Sequence, residues 1–319
     1  MKISGFTMVR NATKLYFPIQ QSIASILPIV DEFIVALGEG DEDDKTEQEI
    51  LALNDPKIKI IHTKWDLNTF QRGTENAHQT DIAKEACSGD WLFYLQADEV
   101  VHEKDFAGIL QHCEQYLGDA EVEGFLFDYY HFWGDYKHFH RSHAWYPHEI
   151  RIIRNLPDIH SWQTAQSFRK IHNFKPTTED YLRKEGTQKL KVVHLGASIY
   201  HYGWVRPPKI MQNKRKALDS IHAGKHDLAK KYAHQKAHFD YGPMKTIATF
   251  KGTHPKVMTG WMAKLDWQDQ LRNSGKARRT GDKPFKHERL KYRILSTFEN
   301  LVLKGKRIGT FKNYKRLSK

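Results

Sequence analysis

Short apolar stretches, each cut by polar residues, run through the first hundred positions of the chain. Lys2 to Val9 (KISGFTMV) has strand length and stops at Arg10-Asn11. From Ser22 to Val30, the residues Ile23, Ile26, Leu27 and Val30 recur at helical spacing, which predicts a helix with one apolar face. Glu32 to Leu37 (EFIVAL) is continuously apolar after its first residue, as expected of a strand covered on both faces, and it runs into the acidic turn GEGDEDD. Lys57 to His62 alternates like a third strand, and Gln79 to Ala86 predicts a helix. Gly89-Asp90 then introduces the aromatic-rich strand Trp91 to Leu95, soon followed by two adjacent carboxylates, Asp98 and Glu99. Strands and helices alternating in this way predict an α/β protein with a doubly wound, mostly parallel sheet.

Ligands of open α/β sheets sit beyond the carboxyl ends of the strands, so Asp98 and Glu99 are expected at the mouth of a crevice. Carboxylate oxygens there suit Mg²⁺ or Mn²⁺ rather than zinc. A solvated turn in which Asp caps a helix fits the same motif.

Read in order, VRN, FIVALGEGDEDDKT and QTDIAKEACSGDWLFYLQADEV resemble the nucleotide-sugar half of family 2 glycosyltransferases of the GT-A fold. The resemblance covers about the first hundred residues, loosens to about residue 205 and is absent beyond. It implies a GT-A-like sheet and an enzyme that moves a sugar from a nucleotide-diphosphate donor, expected to be a UDP-sugar, to an acceptor hydroxyl. Arg10, Asn11 and Gln79 fall in the matching motifs and are implied donor-binding residues. The acidic loop implies that Asp41, Asp43 and Asp44 hold the base and ribose. The family's Asp-x-Asp motif places Asp98 on the metal, Mn²⁺ or Mg²⁺, that bridges the diphosphate. Where that motif begins with Asp this chain has Gln96, which can hydrogen-bond a ribose or sugar hydroxyl but adds no charge. GT-A enzymes often recruit a late His to the cation, and His201 in SIYHYGWVR is the candidate, ahead of His194. A histidine packed between two tyrosines is the alternative for His201.

Inverting displacement at an anomeric carbon needs a base near the acceptor hydroxyl. Glu149 precedes a strand-like IRII run. Asp180 lies in TTEDYLRK, whose Glu-Asp pair resembles the one that serves as base in many members of that family; the same residues also read as a helix cap with first-turn carboxylates. The choice between Glu149, Asp180 and neither stays open at this level. Residues 129–148 hold five histidines (His131, His138, His140, His143, His148) among many aromatics. Without Cys or zinc-site spacing they fit an acceptor-binding wall or core packing better than zinc.

Cys87 and Cys113 are the only cysteines, so no disulfide framework is implied and a reducing cytoplasm is the simplest location. No run of apolar residues is long enough to span a membrane, and the chain begins on a strand rather than a signal peptide. The charge is uneven: residues 251–319 contain 19 Lys and Arg against 5 Asp and Glu, while the first 250 have 31 against 33. Within that basic tail Leu290, Ile294, Leu295, Phe298, Leu301 and Val302 share one helical face. Such a helix suits peripheral contact with an anionic inner-membrane surface carrying lipid-linked saccharide acceptors, consistent with cell-envelope polysaccharide synthesis; equally, its apolar face can pack on the enzyme. A further helix is expected over 209–234, broken at Gly224. The chain is thus expected to divide into a catalytic domain, 1–205, and a helical basic region, 206–319. A nucleic-acid-binding protein using the basic region is disfavoured by the near-neutral first 250 residues and the lack of a binding motif. A sugar-nucleotide-processing nucleotidyltransferase would need a Gly-rich basic phosphate loop, where this chain has VRNATK.

Overall fold

The computed structural model describes residues 1–223, 232, 235–279 and 284–319. Four parallel strands form one half of the sheet: β1 (Ile3–Val9), β2 (Glu32–Gly38), β3 (Ile58–Thr63) and β4 (Trp91–Tyr94), in the order β3-β2-β1-β4. Alternate residues of β4 enter two different cores: Trp91 and Phe93 lie in one, Leu92 and Tyr94 in the other. In β2, Phe33, Val35 and Leu37 face the first core, and Ile34 and Ala36 the second. Each such large side chain contributes about 1.5–3 kcal/mol on burial, which fixes these strands in the middle of the molecule.

Helices flank these strands: α1 (Ile19–Ala24), α2 (Thr46–Leu51), α3 (Thr74–Glu85) and α4 (Phe106–Gln115). The helix expected over 22–30 is instead α1 followed by a single 3₁₀ turn at Leu27–Ile29. Pro28 lies inside that turn; its ring and missing N–H oppose a continuous α-helix.

Beyond β4 the sheet becomes mixed. Its order continues β4-β8-β6-β11-β10-β9, with β6 (Gly124–Trp133), the short β7 (His138–Phe139) beside it, β8 (His148–Arg154), β9 (Ile159–Trp162), β10 (Ser167–Ile171) and β11 (Thr187–Trp204). β8 runs antiparallel to both β4 and β6, and β6 runs parallel to β11. The short strand β5 (Glu99–Val101) pairs antiparallel with β11, opposite Ile199 to His201. α5 (Thr178–Leu182) lies between β10 and β11 in the chain.

The region after residue 205 is less regular than expected. It contains α6 (Pro208–Ala223), several single turns, and a C-terminal helix Leu290–Leu301. The part of the expected 209–234 helix after Ala223, including the break at Gly224, lies outside the described residues apart from isolated positions. The chain then returns to the sheet, where Tyr314–Arg316 pairs parallel with β11. Among the described residues no helix is long and apolar enough to cross a membrane.

Candidate active site

Between β4 and β5 the residues Gln96, Ala97 and Asp98 turn the chain. The backbone of Asp98 is fixed by β11, because Tyr202 N–H donates to its carbonyl at 2.8 Å. Its carboxylate is buried against three nitrogen groups: Lys214 Nζ of α6 at 2.8 Å, His201 Nε2 at 3.7 Å and Arg206 Nη2 at 3.8 Å. Burial alone would raise this carboxyl, but Lys214 and its neighbours outweigh that effect and hold it well below the usual carboxylate range. Lys214 also donates to Gly203 O, and Arg206 to Leu15 O, while both cations lie over the Phe17 ring. Burial first and Arg206 second press Lys214 down to about 8, against the pull of Asp98. Arg206 keeps two buried nitrogens, Nε and Nη2, without a hydrogen-bond partner.

The protonation of His201 follows from a chain of contacts. His131 Nε2 lies 2.8 Å from the carbonyl of Tyr146, which only accepts, so that nitrogen carries the proton. Burial drives His131 down to about 3, so it is neutral and its Nδ1 is an acceptor. His201 Nδ1, 3.0 Å away, is therefore the donor. Burial also brings His201 down to about 4, which leaves Nε2 without a proton and facing Asp98 Oδ1. Two lone-pair groups thus meet around a space that Gly203 keeps open, since a Cβ there would touch both His201 Nε2 and Asp98 Oδ2. A neutral imidazole and a carboxylate so placed, with the imidazole oriented through its other nitrogen, fit a shared Mn²⁺ or Mg²⁺.

Glu99 was expected beside Asp98 at the crevice, but it points inward. It is fully buried, pairs with Arg151 through both oxygens at 2.7 and 2.8 Å, and accepts from Tyr129 Oη. The reason is its partners: β5 begins at Glu99 and pairs with β11, and the buried Arg151 holds the carboxylate from both oxygens.

A second feature lies at the ends of β1, β2 and β3. A cleft of about 520 Å³, within the size range of small-ligand sites, is lined by Gly38, Gly40, Asp41, Asp44, His62 and Thr63 among others. Asn11, with φ 55°, exchanges two hydrogen bonds with Asp41. Asp44 accepts from Thr13 Oγ1 at 2.6 Å. Arg10 sits over the Trp65 ring at 5.7 Å, and Arg10 Nε, Trp65 Nε1 and Thr63 Oγ1 are buried without partners. Lys14 pairs with both Asp41 and Asp43; Asp43 differs from its neighbours in that its side chain is 77% exposed and does not line the cleft.

Three other expected residues are committed elsewhere. Gln79 is buried in α3, where its amide donates to Glu75. Gln96 donates to Ala165 O, so its amide holds the 163–166 loop. Asp180 accepts from Lys175 N–H and pairs with Arg183, while Thr177 caps its own N–H; as a base it has no free carboxylate oxygen. Glu149 is the other expected base, and its Oε1 accepts from Ile150 N–H. It is buried beside Ser167, which donates to Oε1, and burial raises it, partly offset by Arg151.

The five histidines of 129–148 form no single cluster. His131 meets His201, His138 meets Asp135, His143 meets Glu299, and His148 lies against Asp128. His140 is stacked on Trp145 beside Trp133, which is core packing. Lys214, Arg206 and Trp65 were not singled out from the sequence, and His131 was weighed only as one of five histidines in an aromatic stretch. Only His131 carried a visible signal, as a polar residue inside the apolar run GFLFDYYHFW.

No family model matches the chain, and no curated protein matches it significantly. Similar solved structures include glucosyl-3-phosphoglycerate synthase from Mycobacterium tuberculosis in complex with Mn²⁺, UDP and phosphoglyceric acid, at 18% identity over 41% of this chain and 43% of that chain, with TM-score 0.28. They also include S. aureus TarS 1–349, at 12% identity over 73% of each chain, with TM-score 0.35. A third is the mannosyltransferase PcManGT from Pyrobaculum calidifontis in complex with GDP-Man and Mn²⁺, at 18% identity over 39% of this chain and 34% of that chain, with TM-score 0.29. The chain thus spans less than half the length of the synthase and the mannosyltransferase. The α/β fold is carried by the strand order and registers given above.

Proposed function

We propose that this protein is a metal-dependent glycosyltransferase that moves a sugar from a nucleotide-diphosphate sugar to an acceptor hydroxyl, with inversion. One observation carries the reading: Asp98 Oδ1 and His201 Nε2 face each other as two proton-free acceptors, 3.7 Å apart, beyond the end of β4. Asp98 and His201 would hold Mn²⁺ or Mg²⁺, which when bound offsets charge developing on a leaving diphosphate. The chain's own cations act in the same sense. Lys214 remains mostly protonated at neutral pH, and the two unpartnered nitrogens of Arg206 are donors for phosphate oxygens. The cleft at Asp41 and Asp44 would take the nucleoside, with a carboxylate accepting a base N–H. A UDP-sugar is the donor we favour. Glu149 is the better base of the two candidates, because its raised, buried carboxyl is poised to accept a proton whereas Asp180 is spent locally.

The reading takes residues 1–205 as the nucleotide-sugar domain and 206–319 as a region that completes it. Lys214 belongs to the second part, so that part supplies charge to the site as well as surface. Its C-terminal helix turns a polar side inward: Glu299 is buried against His143 and Arg307. Its apolar residues point outward, with Leu290 69%, Ile294 62% and Leu301 78% exposed. This reverses the expectation of an apolar face packed on the enzyme. An outward apolar stripe among lysines and arginines favours peripheral contact with an anionic membrane and a lipid-linked saccharide acceptor.

The experiment is a thermal-shift screen of UDP-, GDP-, CMP- and dTDP-sugars with and without Mn²⁺. A true donor raises the transition only with the metal, by RT ln(1 + [L]/Kd) in free energy. Turnover of that donor should then fall at least tenfold in Glu149→Gln with binding retained. Absence of any metal-dependent shift with all four classes contradicts the proposal.

A further inference from the structure

On β6, the next strand along, the structure brings together a group that the donor site does not use. Asp128 on β6 lies directly opposite His148 on β8 in the antiparallel pair. On its other side β11 carries a bulge: His194 pairs with Leu126 and Ser198 with Asp128, so four steps of β11 cover two of β6. Gly196, with φ 72°, makes that bulge possible, and the slack lets His194 lean to Asp128. His194 Nε2 is 2.9 Å and His148 Nδ1 2.8 Å from the same oxygen, Asp128 Oδ1. The His148 nitrogen is out of line for a hydrogen bond and has no other partner. All three donor atoms lie within 4.8 Å of one another.

We propose that Asp128, His148 and His194 form a second metal site, distinct from Asp98 and His201, that binds Zn²⁺ with one coordination position open to solvent. Two imidazoles and one carboxylate make a borderline N₂O set, which prefers Zn²⁺ over the hard Mg²⁺. In a tetrahedral site with bonds near 2.0–2.2 Å, ligand atoms sit about 3.3 Å apart. At 2.8 and 2.9 Å, the two ring nitrogens would each move outward from Asp128 Oδ1 by a few tenths of an ångström to reach that spacing. All three side chains are half-buried, so an ion can enter from solvent. The site is separate from the donor site: across the bulge, His194 pairs with Leu126 and His201 with His131, five steps of β6 apart, roughly 16 Å along the sheet. It is a fastening point, because its ligands come from β8, β6 and β11, where the sheet changes from antiparallel to parallel pairing.

The test uses the untagged full chain after treatment with a chelator. Zn²⁺ alone is titrated by calorimetry into wild type, Asp98→Asn, His148→Ala and His194→Ala, and Co²⁺ is added in parallel to read its visible absorption. We expect wild type and Asp98→Asn to bind Zn²⁺, with the intense visible band of tetrahedral Co²⁺ and a raised thermal transition. Both histidine variants should bind at least tenfold more weakly and lose the band. Circular dichroism checks their fold; if either is unfolded, the isosteric Asp128→Asn takes its place. Absence of Zn²⁺ binding in wild type, or binding that is lost in Asp98→Asn and intact in the histidine variants, overturns the proposal.

Discussion

Asp98 Oδ1 and His201 Nε2 stand 3.7 Å apart with no proton between them. The proton order is set at a distance, by the carbonyl of Tyr146 acting through His131. An enzyme that needs a cation at this point gains from such an arrangement, since the imidazole is already in the tautomer that binds metal.

Lys214 is the partner on which the buried Asp98 depends. Lys214→Met should leave a buried carboxylate short of its closest cation, a change of the kind that costs about 3–5 kcal/mol. The thermal transition should fall, and the pKa of Asp98 should rise when followed by NMR. Lys214→Arg should recover part of both. An unchanged transition in the Met variant would show that Arg206 suffices.

The acidic loop can be dissected one residue at a time. Asp41 and Asp44 border the cleft, and Asp43 faces solvent on Lys14. Calorimetry with UDP and Mn²⁺ should give at least a tenfold loss, about 1.4 kcal/mol, in Asp41→Asn or Asp44→Asn and little change in Asp43→Asn. Equal affinity in all three variants removes the loop from the nucleoside site.

Acid should weaken both fold and metal binding through the two histidines. His131 and His201 are held neutral in the folded protein, down to about 3 and about 4, while an unfolded histidine titrates near 6.5. The unfolded chain therefore binds more protons below that value, so this stability is complete at neutral pH and is lost as pH falls towards the folded pKa values. Between pH 7 and pH 5 the loss should be about 2 kcal/mol for each histidine, of the order of 4 kcal/mol together, read by denaturant titration. In His131→Asn the slope of stability against pH should be smaller; an identical slope would assign the effect to other groups.

The outward face of the C-terminal helix makes a surface prediction. Sedimentation with anionic liposomes should retain the protein at low salt and release it as salt rises, with neutral liposomes inactive. Ile294→Asp combined with Leu301→Asp should abolish retention and leave the thermal transition unchanged, because both side chains are exposed. Deleting the tail is a poorer test, since Tyr314–Arg316 pairs with β11. Absence of retention on both liposome types would leave the stripe for a protein partner.

The parallel half of the sheet was legible because its strands advertise themselves. Trp91 to Tyr94 and Phe33 to Leu37 are apolar on both faces, and the structure divides each between two cores. The mixed half was legible only at the IRII run of β8, because β8 and β11 carry charged and polar residues inside: Arg151 is buried by pairing with Glu99, and His201 by bonding to His131. Side chains that satisfy one another across strands look like surface positions in a linear sequence. Asp98 could be found from the strand it follows. Lys214 could not, since a lysine on a helix far along the chain carries no mark of its partner. Gln79 and Asp180 went the other way: each matched a motif, yet the Gln79 amide N–H donates to Glu75 within its own helix and Asp180 accepts from Lys175 and pairs with Arg183.

The central claim is that Asp98 and His201 hold the cation on which donor binding depends. Titrating UDP into wild type with Mn²⁺ and with chelator, then into Asp98→Asn and His201→Ala with Mn²⁺, tests it most directly. We expect binding in wild type only with Mn²⁺, no detectable binding in Asp98→Asn, and at least a tenfold loss in His201→Ala, all with native circular dichroism. UDP affinity in Asp98→Asn equal to that of wild type in the presence of Mn²⁺ would contradict the account.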